Sequence, residues 1–369
     1  AASEMLTTIK NKMTVYCKHL QETISSLEKE TAGDGEKAVV LAVYQEKCRN
    51  IYEDIDNDDS KVISDAALCK FLQTIAQLVL DLTFVEENSL IDQEFPPSSS
   101  LCSVRNIIET LQSVNNLADS VVQDKSIIDV LSSEIVECLY WRKGALLYMY
   151  CHTLNSQYSI DKMPSHYSQC LEDGVKFLTS MLCTRSSPNW LTNKLGTEMN
   201  KSSDPEEDDE DSLFAQGILS DTHLLALMYC GEMCYWHTQL KSLAEMFKLS
   251  KHSESNGTKI TSLDKNVLQD SFEVDKNTYS DSNDSLIDSE SQQSNIRETK
   301  DNSDTVVSNI SAGGAVSSTD GIKNTIDIVK VGQLCLENYV KAAQGPMLIG
   351  GWKTTRAEEI LQYFDNLKL

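Results

Sequence analysis

Cysteine, histidine and aromatic residues crowd into two short stretches of this 369-residue chain: 137–152 (ECLYWRKGALLYMYCH) and 223–237 (HLLALMYCGEMCYWH). Cys230, Cys234 and His237 fall at i, i+4 and i+7, one face of a helix, and these are residue types that ligate zinc. Structural zinc, however, is held by close pairs such as Cys-x2-Cys on turns. A Cys-x3-Cys inside an apolar helix does not fit, so the reading is no metal and no cofactor. A nucleophilic cysteine needs an adjacent base in a partly exposed, electropositive setting. Cys138, Cys151 and Cys234 are the thiols to consider. The histidines (His19, His152, His166, His223, His237, His252) are scattered along the chain. No glycine-rich phosphate loop, dinucleotide fingerprint or His-Glu-x-x-His occurs. The expectation is therefore no catalytic residue, with a Cys-His hydrolase as the enzymatic alternative.

What remains is recognition chemistry. Tyr140, Trp141, Arg142, Trp190, Glu232 and Trp236 are the candidate partner-binding residues, because aromatic and arginine side chains dominate contact energetics. Arg142 and Glu232 are charges set among apolar neighbours, and buried charges must be paired. Arg142 is expected to pair with Glu232 or with Glu134 on its own helix; the plainer alternative is that each points to solvent at a helix edge. Trp190 follows Pro188 outside any strong helical pattern, as an exposed anchor or folded back on the core. Gly144 and Gly231 sit in helix interiors, where glycine costs up to about 1 kcal/mol relative to alanine. The two helices are expected to cross near them. Ser285 with Asp288 three residues on is an acidophilic phosphorylation pattern.

The elements that must position these residues read as helices. Met5, Ile9, Met13, Tyr16, Leu20, Ile24 and Leu27 repeat every three to four positions, one apolar face. Further helices are expected over 37–52, 62–84, 103–119, 125–154, 165–183, 213–249, 321–343 and 356–367, with Phe95-Pro96-Pro97 as a firm stop and Thr354 or Thr355 capping the last. Trp141, Gly144 and Tyr148 approach the tetratricopeptide pattern, but the spacing is one residue short. The fold class is all-α: an irregular helical bundle or α-solenoid-like array with a long disordered insertion. Helices over 3–249, with an acidic loop at 200–212, form one domain, and helices in 321–369 pack on it. The insertion spans 250–320, where 16 serines and a single Phe and Tyr cannot bury enough apolar surface to offset ordering entropy. Deleting 251–318 is expected to leave the fold intact.

The formal net charge is -24. Seven acids lie in 203–212 and 13 acids against six bases in 250–320, so the helical remainder is only moderately acidic. No basic run stands out, which excludes nucleic acid and an anionic membrane surface as natural partners. The 11 cysteines, odd in number and set inside helical patterns, read as free thiols of a reducing compartment. No basic-then-apolar signal opens the chain, and no direct membrane insertion is expected.

LTFVEENSLIDQEFP (82–96), ECLYWRKGALLYMYCHTL (137–154) and SDTHLLALMYCGEMCYW (220–236) resemble the best-marked stretches of one animal family, the Rab-seven-interacting subunit of the Mon-one/Ccz-one complex. The C-terminal Glu337-Asn338-Tyr339-Val340, Gly345-Pro346, Trp352 and 357–364 are similar as well. The resemblance implies a helical accessory subunit without catalysis of its own. Its implied partners are Mon-one, Ccz-one and the Rab-seven GTPase. It implies a cytosolic protein recruited peripherally to late endosomes or damaged mitochondria, and a part in Rab-seven recruitment and mitochondrial autophagy. The resemblance transfers no interface residues.

Overall fold

The structure is a computed structural model, which describes residues 2–30, 35–57, 64–122, 125–185, 218, 220–255, 327–345 and 350–367. Among these, every regular element is helical: α1 (Ala2–Glu30), α2 (Gly35–Asn57), α3 (Asp65–Asp92), α4 (Ser100–Val121), α5 (Ile127–Leu131), α6 (Ser133–Gln157), α7 (Tyr167–Leu182), α8 (Asp221–Ser255), α9 (Ile328–Gln344) and α10 (Thr355–Asn366), with a 3-10 turn at Ile160–Lys162. Contacts divide the chain into a unit of 1–246 with 326–369 and a second of 247–325. Of the second, only the end of α8 is described. The acidic loop 200–212, Trp190, Ser285 and nearly all of the expected insertion lie outside the described residues.

In α1 the buried positions Met13, Cys17, Leu20 and Ile24 keep the spacing of a single helix face. That face meets α2, where Cys48 Sγ donates to the carbonyl of Cys17 at 3.2 Å. α1 also touches α4: Tyr16 Oη and Ser113 Oγ lie 2.6 Å apart, and Lys12 Nζ donates to the Ser120 carbonyl at 2.8 Å. Packing then proceeds between chain neighbours, α2 on α3, α3 on α4, α6 on α7 and α9 on α10, with cross-links from α3 and α4 to α6. Those cross-links make an irregular bundle rather than an open array.

Several boundaries differ from the sequence reading, α2 running to Asn57 rather than 52 among them. Ser64 caps α3 through its hydroxyl, which accepts from the Ala67 N–H at 3.2 Å, and the helix runs to Asp92 rather than ending at Phe84. It stops where Glu94 and Phe95 take positive φ (51° and 52°) ahead of Pro96, and the buried Phe95 ring meets Tyr150 at 5.8 Å. The long helix expected over 125–154 is two helices. Ser126 caps α5, and Ser132, at φ 74°, redirects the chain before α6. α8 extends to Ser255.

α3 is the apolar centre of the first half. One 18-residue window has the length and hydropathy of a membrane span, and half of it is buried inside the protein; Leu72, Ile75, Val79 and Leu82 are all buried. Gly144 and Gly231 do permit close approach, but not to each other. A Cβ on Gly144 would lie 2.6 Å from Leu178 of α7, and one on Gly231 would lie 2.3 Å from Leu336 of α9. Each glycine serves its helix's other neighbour, and the α6–α8 contact is made by aromatic rings instead.

Candidate functional site: an aromatic and ionic face on α6

α6 distributes the predicted residues in three directions. Arg142 faces α3. Its Nε donates to Glu87 Oε2 at 2.8 Å, and its Nη2 lies 2.7 Å from Glu87 Oε1. Both side chains are largely removed from water, and the guanidinium sits 5.1 Å over the Phe84 ring. Neither expected partner, Glu232 nor Glu134, is used. Glu87 was invisible as a partner because the reading ended α3 at Phe84; once the helix continues, Leu80, Phe84 and Glu87 share one face. Burial pushes the Glu87 carboxyl up, and the Arg142 hydrogen bond and charge oppose that shift.

Glu232 is buried and bound from two sides. Tyr148 Oη donates to its Oε2 at 2.5 Å, and Arg356 of α10 donates from Nε to Oε1 at 3.3 Å. Arg356 also lies 5.1 Å over the Tyr235 ring. The C-terminal helix thus supplies the cation that α6 was expected to provide. Between α6 and α8 runs a ladder of rings. Trp141 stacks on Tyr229 at 5.8 Å, Tyr229 on Tyr148 at 3.7 Å and Tyr148 on Trp236 at 5.6 Å. Trp236 is buried and Trp141 half-buried. Stacked pairs of this kind contribute about 0.5–1.5 kcal/mol each beyond their buried area. The ladder joins three of the predicted residues, Trp141, Trp236 and Glu232, through Tyr148, named in the sequence only for its tetratricopeptide-like spacing, and Tyr229.

Tyr140 faces Lys143 instead. Lys143 is fully buried. Its Nζ donates to Gln112 Oε1 at 2.7 Å and lies 4.7 Å from the Tyr140 ring centre and 4.8 Å from that of Phe177. Desolvation pushes its pKa down to about 8.

The groups weighed for metal or acyl chemistry are engaged elsewhere. His237 meets Glu172 at 3.2 Å, away from Cys230, whose thiol contacts Cys234 and Cys335. Among the described residues no group of three His, Cys, Asp or Glu side chains is placed to hold a metal ion. His166 meets Tyr150 Oη at 2.8 Å. His223 Nδ1 lies 3.0 Å from Ser220 Oγ, and its Nε2 is 3.8 Å from Glu137, beyond a hydrogen bond. Glu137 is itself ion-paired with Arg185 at 2.5 Å. Burial, with the Arg185 charge, pushes His223 down to about 4, a poor base at neutral pH. Burial pushes the Cys138 thiol up.

Where α2, α3 and α6 meet there is a shallow cleft of about 260 Å³. Tyr44, Leu80, Phe84, Ile135, Cys138 and Arg142 line it together with the polar Gln77, Asp81 and Glu134. Phe84 is 53% exposed.

Among the described residues, fold and site define an all-helical protein whose candidate site is built of aromatic stacks and ion pairs between helices. The family model for RAB7A-interacting MON1-CCZ1 complex subunit 1 matches residues 46–279, and the chain belongs to that family. A relative of that name from Danio rerio is 42% identical over 172 residues, 46% of this chain and 59% of the relative, so that match leaves much of the relative's length uncovered. The human protein of that name is 31% identical over 294 residues, 79% of this chain and 77% of its own length. The mouse protein is 29% identical over the same shares. No solved structure matches.

Proposed function

We propose that this chain is a non-catalytic accessory subunit of a MON1–CCZ1 guanine-nucleotide exchange complex, supporting RAB7A recruitment or stability in late-endosomal traffic and in autophagy of damaged mitochondria. It works in the cytosol and reaches those membranes through its partners. Family membership carries the reading: relatives over most of the chain's length are named for the complex and for RAB7A. The site agrees with it. Its charges are consumed in helix-to-helix pairs, and its half-buried Tyr140 and Trp141 with the exposed Phe84 ring beside Arg142 suit protein contact. Exchange chemistry belongs to the complex, with this chain stabilising or positioning it.

The purified chain, used as bait in cell extract and read by mass spectrometry, is expected to recover MON1, CCZ1 or RAB7A. Recovery of none of them removes the reading. The chain alone is expected to leave nucleotide release from RAB7A unchanged; acceleration would make it an exchange factor in its own right.

A further inference from the structure

The cleft between α2, α3 and α6 is bordered by apolar surface that the fold leaves wet. α2 carries no charge from Ala38 to Tyr44, and its Val39, Val40 and Val43 are 66%, 38% and 49% exposed. Valine is a weak helix former, so three on an open face bring neither propensity nor burial. Val40 stands one turn before Tyr44, on the same side of α2, and so extends the cleft wall. The exposed Phe84 ring forms the opposite wall, with Leu80 and Ile135 among the apolar residues between. Arg142, fixed by Glu87, lies against Phe84 and holds that wall ready.

We propose that this cleft receives an amphipathic helix of a protein partner, with one apolar anchor entering between Tyr44 and Phe84 and a lysine or arginine of the same helix set against Glu134. The inference rests on the interaction-subunit reading above and names the kind of partner surface it needs. The size fits: about 260 Å³ is below the roughly 300–1,000 Å³ of small-molecule sites and suited to a single side chain, as in helix-in-groove recognition. Charge selects the occupant. Arg142 is neutralised by Glu87 and Lys47 by Asp81 at 3.5 Å. Glu134, exposed at the cleft, is hydrogen-bonded by the Ser132 and Ser133 side chains and sits in the field of Arg185 but forms no ion pair among the described residues. The helical part of the chain outside 203–212 and 250–320 is itself moderately acidic. That field draws a basic helix and repels a second copy of the same chain.

The full chain is to be titrated against a fluorescein-labelled Leu/Lys amphipathic peptide of about 14 residues, with its Leu/Glu counterpart as control. Binding is expected for the Leu/Lys peptide alone. Phe84→Ser combined with Val40→Ser is expected to weaken it by about tenfold or more. Glu134→Lys, a fully exposed change, is expected to weaken it less, and Val15→Ser, an exposed valine on α1, not at all. Equal binding of both peptides, or binding indifferent to the cleft changes, overturns the proposal. So does a sedimentation-detected dimer abolished by Val40→Ser, which would make a second copy the occupant. The extract pull-down separates the two readings. A Phe84→Ser/Val40→Ser chain that folds and still recovers MON1–CCZ1 as well as the unaltered chain sinks the cleft and spares the subunit function. An unaltered chain that recovers nothing sinks the function and leaves the peptide titration to decide the cleft.

Discussion

Lys143 carries its ammonium into the core with one amide oxygen and two aromatic faces in place of a carboxylate. Cation–π contacts offset part of the desolvation cost, yet the pKa still falls from 10.5 to about 8. Below pH 8 the folded chain must bury the charge, a penalty of about 3 kcal/mol at 1.36 kcal/mol per pH unit. Between pH 8 and 10.5 the unfolded chain binds more protons than the folded one, so stability rises with pH through that window. Lys143→Met is expected to raise the melting temperature at pH 7 and to remove the rise between pH 8 and 10.5; a fall in melting temperature at pH 7 would contradict it. The sequence shows Lys143 only as one more cation inside an apolar stretch. Nothing in its spacing announces Gln112, 31 residues earlier, as its acceptor. The same limit hid Glu87 from Arg142: the need for a carboxylate follows from the desolvation of charge, but its identity depends on how far α3 runs and which helix α3 meets.

Helix existence was legible because apolar spacing is imposed by burial of one face, and α1, α4 and α7 keep that spacing throughout. Breaks and extensions were less so. The turn at Ser132 uses a positive φ in a residue that carries no such signal, so the α5–α6 joint read as continuous helix. Which neighbour an interior glycine serves was also hidden. Gly144 and Gly231 were legible as close approaches, but the approach is to α7 and α9. Gly231→Ala tests this at the level of the helix pair. Alanine gains up to about 1 kcal/mol of helix propensity, while its Cβ would displace Leu336, which is fully buried. Overpacking costs about 1–3 kcal/mol, so net destabilisation is expected. If the Leu336 contact is the cause, adding Leu336→Ala makes the pair's loss smaller than the sum of the single losses. Strict additivity in urea melts would place the strain elsewhere.

Across the whole molecule, the buried apolar cluster among the described residues joins both flanks of 247–325: Trp236 from α8 before it, Leu336 and Phe364 from α9 and α10 after it. α9 and α10 are therefore tied to α8 by packing, Leu336 against Gly231 and Cys234 against Gly332, and by the Arg356–Glu232 pair, as well as by the chain that connects them in sequence. Composition already set the segment apart, and α8's run to Ser255 moves the proper cut from 251 to 256. Replacing 256–318 by a Gly/Ser linker of about 15 residues is expected to preserve one cooperative thermal transition. Loop closure grows only as the logarithm of length, so shortening the connection by about two doublings adds roughly 1 kcal/mol of stability. The melting temperature should therefore stay level or rise by a few degrees. A broadened transition, or exposure of Trp236 fluorescence to quencher, would mean that the segment itself supports the α8–α9 packing and that the division at 247 and 325 does not describe how the chain folds.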